Sequence, residues 1–222
     1  MNATEHAAPD ADRAQATEAH SDNNRRPQTL RDARAAYFAA SGFDESTYTD
    51  DWVDLKVGPV PFRFPNTDGR KRTVPLHDLH HALTGYSAKL TGEMQIAAWE
   101  VGGGMKQHWV GWFLNLLTMS WGGVVRPRAT FRAFVRGRRS TNLYCRPAEP
   151  GLIDRPVEAV RAERGIAPAD QSQSASAGDL LAYAFWWLTA LLVGAIGFVT
   201  LPLMLALGLW GTFQGRDQVQ TP

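Results

Sequence analysis

The chain lacks several features that would assign it to common classes of protein. Its 222 residues include one cysteine, Cys145, so no disulfide can form within the chain, and a reducing compartment fits. The formal net charge is only +1, which gives no reason to expect a nucleic-acid partner. Neither a Gly-x-Ser-x-Gly motif nor a glycine-rich loop ending in Lys-Ser/Thr occurs, so the sequence signatures of serine hydrolases and P-loop nucleotidases are missing.

Large apolar side chains are nearly absent from the first 28 residues. Such a segment cannot bury enough surface to offset the entropy of ordering, and it holds no apolar core for a secretory signal peptide. A second stretch rich in Ala, Ser and Gln reads as a flexible linker. The sequence therefore predicts a disordered N-terminus (1–28), a helical domain (29–165), a linker (166–178), a transmembrane segment (179–215) and a polar tail (216–222).

Charged residues and histidine are absent from residues 180–215. A bilayer-spanning helix needs about 20 apolar residues, so this run is long enough to cross a membrane. One straight helix over the run would be about 54 Å long, well beyond the hydrocarbon core of about 30 Å, whereas two full spans need slightly more residues. Pro202 could kink or break a helix here. A single span with an interfacial extension and a tight hairpin are both compatible with the sequence.

The pattern between residues 29 and 165 predicts an all-α domain. Helix formers from Thr29 to Ser41 end at Gly42, and a buried, Trp-rich helix is expected from His108 to Trp121. Residues 51–65 alternate and contain three prolines, which favours extended chain or loop. Two helices are expected in the middle of the domain, one from Pro75 to about Thr84 and one from Ala88 to Val101, with Gly85 breaking the chain between them.

The strongest functional signal is a cluster of metal-ligand types. His77 and His81 are four residues apart and share one helix face, which Asp78 can also approach. Glu93 would lie about 18 Å further along a continuous helix, but a break at Gly85 lets the next helix fold back. Imidazole and carboxylate bind zinc or iron. The prediction is one metal, zinc with iron as the alternative, held by His77, Asp78, His81 and Glu93; the competing interpretation is ordinary surface or core side chains.

Two other clusters favour a lipid. Six arginines occur within residues 126–139, and three of them would line one helix face suited to phosphate head groups or an anionic membrane: Arg132, Arg136 and Arg139. A solvated face or a nucleic-acid patch is the alternative. Four apolar residues could wall a cleft for a lipid tail, although plain core packing explains them equally well: Trp109, Trp112, Phe113 and Leu116.

The segment Leu76–Tyr86 followed by Gly92 and Glu93 carries a specific spacing: His-Asp, two residues, His, eleven residues, Glu. In this it resembles the family of the fourth mitochondrial coenzyme Q biosynthesis protein and its bacterial relatives. The resemblance covers roughly residues 52–166. Weaker similarity lies in Phe64–Thr67, Arg136–Arg139 and Pro156–Arg161. The long polar N-terminus and the apolar C-terminal segment depart from the family and leave a different prenyl-lipid pathway open.

The resemblance implies an all-helical fold with a metal site and a hydrophobic cleft for an isoprenoid or quinone tail. It also implies a role in organising quinone-biosynthesis enzymes at a membrane, or in removing the carboxyl group of the prenylated ring with oxidation. The expected protein is therefore a metal-dependent decarboxylase or oxygenase of ubiquinone synthesis, or a non-catalytic, membrane-anchored scaffold that presents the lipid and holds a structural metal.

Its expected partners are a prenyl-quinone lipid, the membrane and other quinone-biosynthesis proteins, without nucleic acid. Its expected place is the bacterial inner membrane, with the helical domain in the cytoplasm. A metal-dependent phosphohydrolase is a weaker alternative, because no further His and Asp set is evident.

Overall fold

A computed structural model describes residues 28–42, 45–57, 60–145, 149–169, 171 and 173–217. This part of the chain is mostly helical, as predicted. Its α-helices are α1 (Leu30–Ser41), α2 (Ser46–Thr49), α3 (Asp68–Thr84), α4 (Leu90–Gly103), α5 (Trp109–Val125), α6 (Pro127–Arg138), α7 (Val157–Glu163) and α8 (Ala177–Asp217). A 3₁₀ turn covers Leu152–Asp154, and two strands, β1 (Trp52–Val57) and β2 (Val60–Pro65), pair with each other.

The β1–β2 hairpin corrects the expectation of a purely α-helical domain. The two strands are antiparallel, with Val53 opposite Phe64. Alternating apolar residues favour extended chain, but only the pairing of the two segments turns that preference into a sheet. Directly after β2, the Asn66 side chain donates hydrogen bonds to the carbonyls of Thr47 and Asp50, at 2.9 and 2.7 Å. These bonds fix the chain just before α3 begins.

Helix α3 begins seven residues before Pro75, the predicted start. The Thr67 hydroxyl caps it by accepting the Arg70 N–H at 3.3 Å, so the helix starts at a capping residue that lies well before Pro75. The predicted end is confirmed: Gly85 adopts a left-handed conformation with φ 76°, and its N–H donates to the His81 carbonyl at 2.9 Å. The chain can therefore reverse here, and α4 follows five residues later.

Helices α4 and α6 pack with almost no side chain between their backbones. A Cβ on Gly102 would collide with the Phe134 carbonyl, and a Cβ on Gly137 would collide with the Trp99 carbonyl. Both neighbours, Trp99 and Phe134, are fully buried. Glycine at these two positions thus permits the close approach that holds α4, the helix of Glu93, in place.

The C-terminal apolar run forms one helix of 41 residues, α8, and the hairpin alternative is not observed. Residues Ala177–Thr200 are the one stretch in the described chain long and apolar enough to cross a membrane. At 1.5 Å per residue these 24 residues extend about 36 Å, more than the hydrocarbon core of about 30 Å. The N-terminus predicted to be disordered lies outside the described residues except for Gln28, as do residues 218–222 of the polar tail.

Helix α8 is not separated from the domain by the preceding segment. Tyr183 and Ala190 belong to the same buried cluster as the core of α4 and α6, and the Trp187 indole lies against Gly123 of α5, where a side chain would collide with it. Asp179 pairs with both Arg138 and Arg139, at 2.9 and 3.0 Å. The segment expected to be a flexible linker is also bonded to α6, because the Ala167 carbonyl accepts a hydrogen bond from Arg136.

Candidate metal centre

Three of the four predicted ligands converge where α3 and α4 meet. One nitrogen each of His77 and His81 and one oxygen of Glu93 lie within 4.8 Å of one another. The two Nε2 atoms are 3.2 Å apart. The Glu93 carboxylate lies 3.5 Å from His77 Nε2 and 3.3 Å from His81 Nε2. The helix–turn–helix arrangement inferred from the break at Gly85 therefore brings Glu93 back to the two histidines.

The hydrogen bonds on the far side of each imidazole fix which nitrogen faces this centre. His81 Nδ1 lies 2.8 Å from the Tyr86 carbonyl, and a carbonyl can only accept, so Nδ1 carries the proton. His77 Nδ1 lies 3.0 Å from a carboxylate oxygen of Glu100 and donates for the same reason. Both Nε2 lone pairs then face each other, an arrangement that is repulsive unless a proton or a cation lies between them.

Glu100 is the hub of a buried polar network behind the histidines. Its side chain is fully buried. One carboxylate oxygen accepts from His77 and, at 2.6 Å, from His80, and the other accepts from the Asn115 amide at 2.6 Å. The Tyr144 hydroxyl lies 3.3 Å from both oxygens. A carboxylate that orients a metal-binding imidazole in this way is a common support of protein metal sites.

His80 belongs to this network and is not a ligand. The backbone N–H of Leu143 donates to His80 Nε2 at 2.9 Å, so Nε2 has no free lone pair, and Nδ1–H donates to Glu100. Burial lowers the pKa of His80, against the opposing effect of Glu100. His80 is therefore a neutral, fully bonded core histidine. His108 is also outside the group, with Nδ1 3.2 Å from the Thr73 hydroxyl.

The electrostatics of the centre favour an anionic Glu93 and a cation beside it. Burial opposes ionisation of Glu93, but hydrogen bonds from His77 and His81 outweigh it and lower the pKa of Glu93 to about 2. Burial likewise works against a charged His77, yet Glu100 and Glu93 raise its pKa well above the ordinary value. The site thus attracts positive charge, and a metal ion that binds there must displace the proton of His77.

Asp78, the fourth predicted ligand, lies beside this group and outside it. One of its carboxylate oxygens accepts a hydrogen bond from the Tyr48 hydroxyl at 2.7 Å. Burial raises the pKa of Asp78, while the Tyr48 bond and the charges of His77 and His81 lower it, so the carboxylate is near the centre. Direct ligation by Asp78 remains a prediction. In the structure, its carboxylate is hydrogen-bonded to the Tyr48 hydroxyl instead.

The spacing of the two imidazole nitrogens fits a tetrahedral ion. Zinc binds nitrogen and carboxylate oxygen at about 2.0–2.1 Å, which puts neighbouring ligand atoms of a tetrahedron about 3.3 Å apart. The separation of 3.2 Å between the two Nε2 atoms agrees with that value, and the contacts of 3.5 Å from His77 and 3.3 Å from His81 reach different oxygens of Glu93. With one donor atom from each residue, the three atoms lie within 4.8 Å of one another, so these side chains could hold one ion, with a further position for Asp78, water or a substrate atom.

A cavity of about 230 Å³ adjoins the centre. His77 and Glu93 line it together with residues of α5, among them Asn115 and Thr118. Thr118 also lines a larger apolar groove of about 550 Å³, whose other lining residues are Leu90, Met94, Leu117, Trp121 and Val125. The metal centre thus opens toward a small chamber, and an apolar groove meets that chamber at Thr118.

The four residues expected to wall an apolar cleft do not converge. Leu116 is buried in the core, and Trp112 stacks on Trp186 of α8 with ring centres 4.8 Å apart. Trp109 and Phe113 are exposed. The apolar groove beside the metal centre is instead formed by neighbouring positions on α5. Because successive residues of a helix are rotated by about 100°, a Trp-rich run alone cannot tell which of its faces borders a cavity.

The three arginines expected to form one lipid-binding stripe have different environments. Arg132 is exposed. Arg136 is 5% exposed and bonds to the carbonyls of Ala167 and Thr84. Arg139 pairs with Asp179 at the start of α8. Only Arg132 is free to meet an approaching anion at the surface.

Sequence reasoning missed Glu100, Tyr144 and Asn115. A signal for Glu100 was present: it lies seven residues after Glu93 and therefore on the same face of α4, inside a run of apolar residues. Asn115 and Tyr144 carry no such signal, because they approach Glu100 only through the packing of α5 and of the chain after α6.

The fold and donor set define a mostly helical protein with a candidate mononuclear metal centre and one candidate membrane-spanning helix. Comparisons of the chain with protein-family models, with curated proteins and with solved structures found no match. What this centre does must therefore be argued from its own geometry.

Replacing Glu100 by glutamine is expected to weaken zinc binding about 10–100-fold, as is usual when the group that orients a ligand imidazole is lost. The amide supplies one acceptor where His77, His80 and Asn115 all donate to the carboxylate. Zinc affinity of the purified protein, measured by competition with a chelator, tests this.

The matched control is Glu158→Gln, an exposed glutamate of α7 paired only with Arg161, which should bind zinc as the wild type does. Circular dichroism shows whether the Glu100→Gln variant is folded. A folded variant with unchanged zinc affinity would show that Glu100 does not position His77 for a metal.

Proposed function

We propose that this protein is a membrane-bound metalloprotein of prenyl-quinone biosynthesis, which holds a prenylated aromatic lipid with its ring at the metal centre and its tail in the apolar groove. The observation that carries the proposal is the sharing of Thr118 by the chamber beside His77 and Glu93 and the groove of Leu90, Met94 and Trp121. An aromatic ring joined to an apolar tail fits such a pair of cavities. The spacing of the His-Asp-x-x-His…Glu residues supports the same assignment.

The surroundings of the groove favour a ligand that arrives from a bilayer. Leu90, Trp121 and Val125 line it and are each more than half exposed. Exposed apolar side chains also continue along α8, which packs against α5. Large contiguous apolar surface is rare on a monomeric soluble protein and marks a membrane or ligand-binding face. A lipid tail could therefore pass from the membrane into the groove without crossing water.

The metal would be held by His77, His81 and Glu93, and when bound it would supply a Lewis acid that polarises an oxygen of the ring. His77 is kept in its ligating tautomer by Glu100, and Asn115 and Tyr144 help fix that carboxylate. Three protein ligands leave a coordination position for substrate and favour an enzyme that acts on the ring, such as a decarboxylase or oxygenase. If Asp78 completes a four-ligand site, the centre favours the alternative role of a lipid-presenting scaffold.

The proposal places the protein in the bacterial inner membrane with the metal domain on the cytoplasmic side. Helix α8 supports a membrane location by its length and composition. The orientation rests on the bias of Arg155, Arg161 and Arg164 before the helix over Arg216 alone after it.

Blocking the junction of the two cavities tests the proposal. Thr118→Trp is expected to reduce the prenylated lipid that co-purifies with the protein about tenfold or more, because an indole fills space that the tail must cross. Zinc content should stay unchanged, since Thr118 is not a donor. Extraction of the purified protein followed by mass spectrometry gives the lipid content.

Thr200→Trp is the matched control. Thr200, like Thr118, bonds to the carbonyl four residues earlier in its helix, but it is exposed on α8. Absence of any prenylated lipid from the wild-type protein, or equal amounts in both variants, would contradict the proposal. Incubation of the wild type with a carboxylated prenyl phenol then separates the two roles, since only an enzyme releases carbon dioxide from it.

A further inference from the structure

A further cavity, which we call the arginine pocket, lies along α6 and beside Gln95 of α4. Its volume is about 140 Å³, and it is lined by Tyr86, Gln95, Ala129, Phe131, Arg132, Ala133, Val135, Arg136, Ala169, Gln171, Gln173 and Ala175. Two of these residues are arginines four apart on one helix face. None is acidic. We infer that the arginine pocket binds a phosphate group.

The guanidinium group of Arg136 is buried and only partly hydrogen-bonded. Its side chain is 95% buried, with 5% exposed. Its Nε donates to the Ala167 carbonyl at 2.7 Å and one terminal nitrogen to the Thr84 carbonyl at 3.0 Å. The other terminal nitrogen, NH1, is buried without a hydrogen-bond partner. The Tyr86 ring centre lies 5.0 Å from the guanidinium carbon in a cation–π contact. Within the described chain no carboxylate pairs with this guanidinium, so the buried positive charge has no counter-ion, which is costly.

Two other arginines of the same helix differ from Arg136 because they have a carboxylate partner. Arg138 and Arg139 both pair with Asp179, so the fold neutralises charge at the end of α6 internally. The lining of the arginine pocket contains no such carboxylate. Arg132, one turn before Arg136, is exposed and forms no ion pair with any described residue, and the amides of Gln95 and Gln171 add donors that carry no negative charge. An anion would satisfy this donor set, whereas a cation would be repelled.

The volume and the position of the arginine pocket also suit a phosphate group. A cavity of about 140 Å³ has room for a phosphate group. Ala175 lines the pocket two residues before α8 begins, and Phe131 packs on Tyr183 of α8 with ring centres 5.1 Å apart. The pocket therefore lies at the start of the candidate spanning helix, the level at which lipid phosphates are found.

The phosphate can belong to an anionic lipid or to a soluble compound, and two probes distinguish these sources. Full-length protein in detergent is titrated with inorganic phosphate and, separately, with dihexanoyl phosphatidic acid, by isothermal calorimetry. The inference holds if either probe binds with one site per chain. Binding of phosphatidic acid alone assigns the pocket to a lipid, and binding of both with mutual competition assigns it to the phosphate itself. Binding of neither overturns the inference.

Variants place the binding in the pocket. Arg132→Gln removes an exposed charge with little risk to the fold and is expected to weaken binding about tenfold, with a smaller dependence on salt. Arg128→Gln removes an exposed arginine of the same helix that does not line the pocket and is the matched control. Equal weakening by both variants would show that general positive charge, rather than the pocket, attracts the anion. Neither Arg132 nor Arg128 lines the chamber or the groove of the proposed function, so the result is independent of that function.

Discussion

Replacing His81 by alanine is expected to abolish stable zinc binding. His81 is buried, its Nδ1 proton is held by the Tyr86 carbonyl, and its Nε2 faces both His77 and Glu93. A protein-bound zinc site is worth roughly 10–16 kcal/mol in total, so loss of one of three donors should lower the affinity about a thousandfold or more. Elemental analysis of the purified protein and competition with a chelator measure the change.

The matched control for this substitution is His108→Ala, which removes a histidine whose side chain hydrogen-bonds to Thr73 and packs on Tyr144. Added zinc should raise the unfolding temperature of the wild type and of this control, because a ligand that binds only the folded state stabilises it. It should leave that of His81→Ala unchanged. Zinc retained by His81→Ala at the wild-type level would show that the three converging side chains are not a metal site.

Introducing two arginines on the outward face of α8, Leu192→Arg and Phe198→Arg, is expected to prevent membrane insertion. Both side chains are mostly exposed, at 63% and 74%, so the changes leave the contact between α8 and α5 untouched. An arginine near the centre of a span costs roughly 2.5–3.5 kcal/mol on an insertion scale; position 198 lies closer to the end of Ala177–Thr200, so an arginine there costs less than one at position 192. The wild type should stay in the membrane after alkaline carbonate extraction, and the double variant should be extracted.

The control for the double variant is a charge change elsewhere on the surface. Glu158→Arg reverses an exposed charge on α7 and should leave the protein in the membrane fraction. A wild-type protein found in the soluble fraction, or a double variant that resists extraction, would contradict a spanning role for α8. Deleting residues 179–222 is a poorer test than the sequence suggests, because Tyr183 and Ala190 are part of the core and their loss would uncover apolar surface of α5 and α6.

Local patterns were enough to predict several elements of this protein. Thr29, with Asp32 three residues later, caps α1, and Gly42 ends it. Gly85 ends α3 where predicted, because a left-handed residue after a helix is nearly always glycine. Pro75 misled the prediction of the start of α3, since Thr67 is the stronger local signal: its side chain satisfies a backbone N–H that the first turn leaves unpaired.

Long-range contacts were beyond the reach of such patterns. The pairing of β1 with β2, the burial of Tyr183 in the core and the environment of each arginine of α6 all join residues distant in the sequence. The four-residue spacing of Arg132 and Arg136 correctly puts both on one face, as their shared pocket shows. It could not tell that Arg136 would be buried under the segment before α8, because that depends on the chain 30 residues further on.

The sequence by itself indicated three side chains that could hold a metal ion and the helix that could cross a membrane, because ligand chemistry, four-residue spacing and an uncharged run are properties of short stretches of chain. Only the tertiary structure decided what surrounds them. It brings Glu93 to 3.3 Å from His81, hydrogen-bonds Glu100 to His77, and hydrogen-bonds Asp78 to Tyr48. These contacts follow from the way α3, α4 and α5 pack together, and packing joins side chains whose separation in sequence carries no periodic signal.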